Sequence, residues 1–226
     1  MLYYKQENAI DFWQIVQDYM QGNLQGKSLP NECLARSVIL IEIRGSKYIL
    51  KADKEWDKRA EKRILRWILG GFYSRLFYRL ENAQKLGCDL TNEICFVAER
   101  IRKFWCGQEV LESYMIYKYI EGTPLSSFSN LTPYLKAMQS LIAKLHSYGL
   151  ASNDIRSENF ILNSSGQLKI IDLSDVGFLP ICQANDWLAL KRFYGIEATN
   201  KTFFYYLIMW RNLFRGFLRK LRSKNN

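Results

Sequence analysis

The chain has 226 residues, room for one domain or a small two-lobed one at roughly 150 residues per domain, and 48% are hydrophobic, which excludes disorder for most of the length. Thirty-two Lys and Arg against 22 Asp and Glu leave a net charge of +10, so the expected partner is anionic: nucleic acid, a phosphorylated ligand or an acidic membrane face. The single histidine, His146, excludes a His-rich metal site, and five scattered cysteines without a C-x-x-C pair (Cys33, Cys88, Cys95, Cys106, Cys182) argue against zinc and against a secreted disulfide framework. A reducing cytosol fits, with the cysteines as small buried apolar residues.

The N-terminus, MLYYKQENAIDFWQIV, mixes polar and aromatic residues where a secretory signal would carry a basic stretch and then an apolar run. No stretch reaches the roughly 18 apolar residues of a membrane-spanning helix; the longest candidate, Phe203 to Trp210, falls far short. Apolar Ile10, Phe12, Trp13, Ile15, Val16 and Tyr19 predict a short amphipathic helix over Ala9–Met20. A polar stretch, Gln21–Asn31, leads to a hairpin: the β-branched run Val38–Ile43, a turn at Arg44-Gly45-Ser46, and the alternating Lys47–Lys51, in which Lys47, Ile49 and Lys51 share a face. From Asp53 to Leu86 the pattern is helical, broken at Gly70-Gly71. Strands are expected at Ile94–Glu99 and Tyr114–Ile120, with a turn at Cys106-Gly107-Gln108.

Beyond a break at Glu121-Gly122-Thr123-Pro124, a helix is marked by Thr132 as N-cap, Pro133 at its first position, Leu135, Met138, Ile142 and Leu145 at helical spacing, and Gly149 as its stop. A polar loop (152–159), a strand (Phe160–Leu162), a Ser164-Ser165-Gly166 turn and an apolar strand (Leu168–Leu173) follow, and the remainder from Asn185 reads as helical. Strands first and helices later is an α+β order with two lobes. Residues 1–120 would form a small strand-rich N-lobe with the N-terminal helix and a basic helical segment, and 121–226 a helical C-lobe.

The informative stretch is LHSYGLASNDIRSENFILNSSGQLKIIDLSDVG. Asp154 precedes Asn159 by five positions and Asp172 by eighteen, each at the edge of a short strand. Oxygen-bearing side chains placed this way suit hard cations such as Mg²⁺, which share carboxylate and carbonyl oxygens with substrate phosphates. Ordinary turn residues are the competing reading, since Asp and Asn favour turns.

In these residues the chain resembles the protein-kinase-like superfamily. Asp154-Ile155-Arg156-Ser157-Glu158-Asn159 resembles its D-x-[KR]-x-x-N catalytic loop, and Ile170-Ile171-Asp172-Leu173-Ser174 resembles the strand ending in the metal-binding Asp of D-F-G, thirteen positions after the Asn. Tyr48-Ile49-Leu50-Lys51 resembles the V-A-I-K strand, and Tyr117-Lys118-Tyr119-Ile120-Glu121-Gly122 the hinge between lobes. The resemblance implies a two-lobed kinase-like α+β fold with ATP and Mg²⁺: Lys51 on the α- and β-phosphates, Glu121 among the nucleotide-binding residues at the hinge, Asn159 and Asp172 on the metal. Asp154 would take the acceptor hydroxyl's proton, and Arg156 would offset developing charge on the transferring phosphoryl. Glu81 is the expected partner of Lys51, with Glu61 as competitor.

Ser152-Asn153 stands where protein kinases carry His-Arg, Asp172-Leu173-Ser174 replaces D-F-G, and no A-P-E follows. These departures are those of small-molecule and sugar kinases. No G-x-G-x-x-G precedes the first strand, which leaves 28–36 to cover the phosphates through backbone N–H groups. Within the superfamily, LASNDIRSENFIL, IIDLSDVG and FLPICQANDWLALKRFYGI most resemble the lipopolysaccharide core heptose(II) kinases of Gram-negative bacteria. That implies ATP-dependent phosphorylation of the second inner-core heptose at the cytoplasmic face of the inner membrane. His146 and Asp186 are expected to be structural, His146 packing beneath the catalytic loop and Asp186 capping a helix and tying down the loop backbone.

From Ala198 to the end there is no Asp or Glu, while Lys201, Arg211, Arg215, Arg219, Lys220, Arg222 and Lys224 alternate with apolar residues near helical spacing. The tail reads as an amphipathic basic helix for an anionic membrane or for the inner-core glycolipid, or as a helix packed on the C-lobe. The segment from Lys58 to Arg79 has the same character. Two other function classes stay open on sequence: a catalytically dead kinase-like module acting through these surfaces, and a nucleic-acid binder, against which stands the lack of any nucleic-acid motif.

Overall fold

The computed structural model describes residues 2–5, 10–30, 36–54, 71–105, 107–174 and 177–223. It divides into two compact units, Met1–Ile120 and Glu121–Asn226, and the mixture of strands and helices is α+β.

The first unit is built on a six-stranded antiparallel sheet. Its strands are β1 (Leu2–Lys5), β2 (Lys27–Ser28), β3 (Arg36–Ile43), β4 (Ser46–Lys54), β5 (Ile94–Phe104) and β6 (Gly107–Lys118), in spatial order β1-β5-β6-β4-β3-β2. Arg44 and Gly45, at φ of 51° and 76°, supply the two left-handed residues that a tight hairpin needs to match strand twist. Helix α1 (Phe12–Gln21) starts where the Asp11 carboxylate accepts the Trp13 and Gln14 N–H groups, and ends at left-handed Gly22. Its Phe12 and Val16 pack on Ile41, Tyr48, Leu50, Ala52, Phe96, Ala98, Tyr114 and Ile116, worth about 1.5–3 kcal/mol per buried side chain. Because Leu50 and Ala52 face α1, strand alternation turns Lys51 and Asp53 to the other face. On β5, Glu99 lies on that other face by register, opposite Ser113 and so in line with Asp53. Helix α2 (Phe72–Lys85) packs on β5 there.

Several boundaries differ from the sequence reading. Strand β1 pairs with the edge of β5, and its four residues are too few to show a period. The β5–β6 ribbon runs beyond Glu99 and begins well before Tyr114, through Arg100, Arg102, Glu109 and Glu112, whose charges hide the strand pattern. Asp53 and Lys54 belong to β4, not to a helix; Asp53 holds Arg36 across the hairpin at 3.1 Å. The expectations for Cys33, Cys106, Glu61, the basic run from Lys58 to Arg66 and most of the phosphate-covering segment lie outside the described residues.

The second unit holds a small sheet, β7 (Thr123–Pro124), β8 (Phe160–Leu162) and β9 (Leu168–Ile170), in the order β7-β8-β9, with three helices. Helix α3 (Leu135–Ser147) buries Met138, Leu141, Ile142 and Leu145. Thr132 does not cap it: Thr132, Pro133 and Tyr134 form a 3₁₀ turn before it, and Asn130 Oδ1 accepts the Thr132 N–H at 3.0 Å. Helix α4 (Leu179–Tyr194) starts earlier than expected and stops at left-handed Gly195, so the C-terminal helix, α5 (Phe203–Ser223), is separate. Among the described residues no helix is long and apolar enough to cross a membrane.

Candidate active site

The polar loop between α3 and β8 is shaped from behind. Asp186, in the interior of α4 and fully buried, accepts the Ser152 N–H at 2.9 Å and the Asn153 N–H at 2.6 Å, and His146 Nε2 sits 2.9 Å from its Oδ2. Burial pushes its carboxyl pKa up, and the His146 ring and the two backbone donors oppose that. Asp186 therefore holds the loop backbone, as expected, but from mid-helix and not as a cap. His146, in the last turn of α3, stacks edge-on against Trp187 at 5.5 Å.

Those bonds fix Asn153 in the left-handed region, at φ 55°, where asparagine is among the few tolerated residues. The chain then presents Asp154 outward, about one-third exposed. Its Oδ1 takes Arg156 Nε at 3.1 Å, and its Oδ2 takes the Asn159 amide N–H at 3.3 Å, while the same Asn159 nitrogen donates to the Asp154 carbonyl at 3.0 Å. Arg156 also reaches Glu158 at 3.7 Å. Its guanidinium thus orients Asp154 in the first place.

Asp172 follows β9 at φ 56°. That left-handed conformation costs about 1–2 kcal/mol for a residue with a Cβ, and such strain persists where neighbours enforce it. Here they do on both sides: the Ile171 N–H bonds the Asn159 carbonyl at 2.8 Å, and the Ser174 N–H bonds the Ser152 carbonyl at 2.8 Å. The Ser174 hydroxyl adds a bond to the same carbonyl at 3.2 Å, and Asn153 Nδ2 bonds back to the Ser174 carbonyl at 3.3 Å. The substituted Ser152-Asn153 and Leu173-Ser174 positions therefore link the loop that carries Asp154 to the loop that carries Asp172.

Asn159 and Asp172 are the residues that could hold a divalent cation. Asn159 is buried and gives its amide N–H to Asp154, and its Oδ1 makes no hydrogen bond among the described residues. That leaves an oriented carbonyl oxygen beside the Asp172 loop. No cluster of three His, Cys, Asp or Glu side chains exists among the described residues, and Mg²⁺ in phosphoryl-transfer sites needs none, since one or two carboxylates suffice with substrate phosphates and water.

In the first unit Lys51 is buried on the face opposite α1, its Nζ 5.5 Å from the centre of the Tyr117 ring. Glu81 on α2 is engaged on the helix surface by Lys85, 3.0 Å away one turn on. The buried carboxylate under α2 is Glu99, which sequence reading missed. It accepts the Ser74 N–H at 3.2 Å and the Ser74 hydroxyl. Gly71, the N-cap, offers no side chain, so Glu99 caps α2 from the strand beneath it, and a Cβ on Gly71 would overlap its carboxylate. Burial pushes the Glu99 pKa up, against the Ser74 and Tyr73 donors. Glu121 is exposed and opens the second unit.

The family described as "Lipopolysaccharide core biosynthesis protein (WaaY)" matches residues 1–224. "Lipopolysaccharide core heptose(II) kinase WaaY" of Escherichia coli (strain K12) is 28% identical over 225 residues, 99% of this chain and 95% of that one. A second protein of that name from Escherichia coli is 27% identical over 223 residues, 98% and 95% of the two chains. Among solved structures, "WaaP in complex with acyl carrier protein" aligns with TM-score 0.55 and 19% identity over 84% of this chain and 79% of that one, a likeness of fold.

Proposed function

The chain belongs to the WaaY family of lipopolysaccharide core biosynthesis proteins, and from that membership we propose that it is a kinase transferring the γ-phosphoryl of ATP to a hydroxyl of the second inner-core heptose. The observation that carries the chemistry is the set Asp154–Asn159–Asp172, joined by side-chain and backbone hydrogen bonds and presented at strand edges.

Phosphoryl transfer asks a protein mainly for positioning and charge. Arg156 and Asn159 each take one oxygen of the Asp154 carboxylate and set its orientation, leaving lone pairs to receive the sugar hydroxyl's proton. As that proton moves to Asp154, the sugar oxygen bonds to the γ-phosphorus, the bond to the β–γ bridging oxygen breaks, and ADP departs. Asn159 Oδ1 and Asp172 would hold Mg²⁺, which neutralises phosphate charge. Lys51, buried and cationic, serves the α- and β-phosphates. Asp186 and His146 act as positioning residues through the Ser152 and Asn153 backbone. The acceptor is part of a membrane glycolipid, so the enzyme works peripherally at the cytoplasmic face of the inner membrane, and the excess of ten positive charges favours its anionic surface.

The test is mass spectrometry of purified, unphosphorylated core oligosaccharide incubated with the protein, ATP and Mg²⁺. One added phosphate on the second heptose is expected; an unchanged mass, or a phosphate on another sugar, would refute the reading.

A further inference from the structure

The apolar side chains that α5 leaves in solvent lie on the face turned away from the body of its unit. Tyr205 and Ile208 are buried, at 2% and 3% exposure, where α5 packs on α4. At 100° per residue, Phe203, Leu207, Trp210 and Phe214 form one stripe roughly 160° around the helix from that seam. They are 73%, 50%, 67% and 62% exposed. From Trp210 to Gly216 every side chain is exposed, so the helix runs clear of the unit that anchors it. Arg211 and Arg215, both exposed, lie along one side of the stripe at helical spacing, and no acidic residue occurs from Ala198 onward.

The aromatic surface also continues to the start of α4. Phe203 stacks edge-on with Phe204 at 5.6 Å, and Phe204 with Phe178 at 5.4 Å. Phe178, 59% exposed, precedes α4 and follows Asp172 by six positions.

We infer that α5 is an interfacial docking helix, whose stripe of Phe203, Leu207, Trp210 and Phe214 enters the acyl boundary of an anionic bilayer while Arg211 and Arg215 sit among the headgroups. The inference deepens the proposed function and rests on it for the presence of a membrane glycolipid as substrate. Aromatic residues including tryptophan, bordered on one side by arginines and free of carboxylates, match a surface that is apolar beneath and anionic above. Phe178 extends the aromatic contact to the start of α4, in the same unit as Asp154 and Asp172, so a glycolipid can keep its acyl chains in the bilayer while its sugars reach the catalytic loop.

The experiment is co-sedimentation of the full chain with vesicles of phosphatidylcholine alone and of phosphatidylcholine with phosphatidylglycerol. The protein should partition onto the anionic vesicles far more than onto the neutral ones. Trp210→Asp with Phe214→Asp, and separately Arg211→Glu with Arg215→Glu, should each weaken that partitioning on the order of tenfold or more. Their circular-dichroism melts should match the wild type, because all four side chains are exposed. Absence of sedimentation, equal binding to both vesicles, or undiminished binding of the folded variants would overturn the inference. So would self-association that vesicles do not displace and that Trp210→Asp abolishes, which assigns the stripe to a second copy. Wild-type phosphotransfer to soluble, delipidated core oligosaccharide reports separately on the function. Transfer without vesicle binding sinks the docking helix alone; vesicle binding without transfer sinks the heptose reading alone.

Discussion

Asp186 accepts three donors without touching solvent, and the geometry of Asp154 depends on two of them, the Ser152 and Asn153 N–H groups. Asn at this position would present an NH₂ to one of these donors. Asp186→Asn should therefore cost about 1–3 kcal/mol in urea unfolding and lower kcat with little change in the KM for ATP. A variant of unchanged stability and kcat would remove Asp186 from the account. That Asp154 and Asn159 share one loop, bonded to the loop that carries Asp172, is legible in sequence because their order and spacing are set by one tight loop and one short hairpin. Ser174 and Asn153 look like defects beside the kinase pattern, and only the bonds between the two loops explain them.

Helix α2 shows what sequence cannot convey about an element. Its break at Gly71 is readable, but its cap comes from Glu99, far along the chain, and a Glu between Ala98 and Arg100 reads as the polar end of a strand. The missed outer half of the β5–β6 ribbon has the same origin, since charged side chains on a largely solvated ribbon carry no alternation. Glu99 makes the anchoring of α2 pH-dependent. Its folded pKa is raised by burial from an ordinary 4.5, so the folded state holds the proton more tightly. Its favourable contribution is complete below that value and is lost as pH rises through the raised one. The urea midpoint of the wild type should therefore fall more than that of Glu99→Gln as pH is raised from below 4.5 upward; equal falls would contradict this.

For the molecule as a whole, sequence carried the α+β order, the catalytic-loop signature and the basic tail. It left open whether that tail packs on the unit or faces outward, because apolar residues near helical spacing serve either purpose. The structure divides them: Tyr205 and Ile208 turn inward, the Trp210 stripe outward. The net charge of +10 is likewise compatible with several anionic partners, and the choice of phosphoryl transfer rests on Asp154 with its two supports. That claim is tested most directly by Asp154→Ala, assayed in parallel for phosphate transfer to core oligosaccharide and for calorimetric binding of Mg·ATP. Turnover should fall by about 10²–10⁴-fold while nucleotide affinity stays near the wild-type value; transfer at an undiminished rate would contradict it.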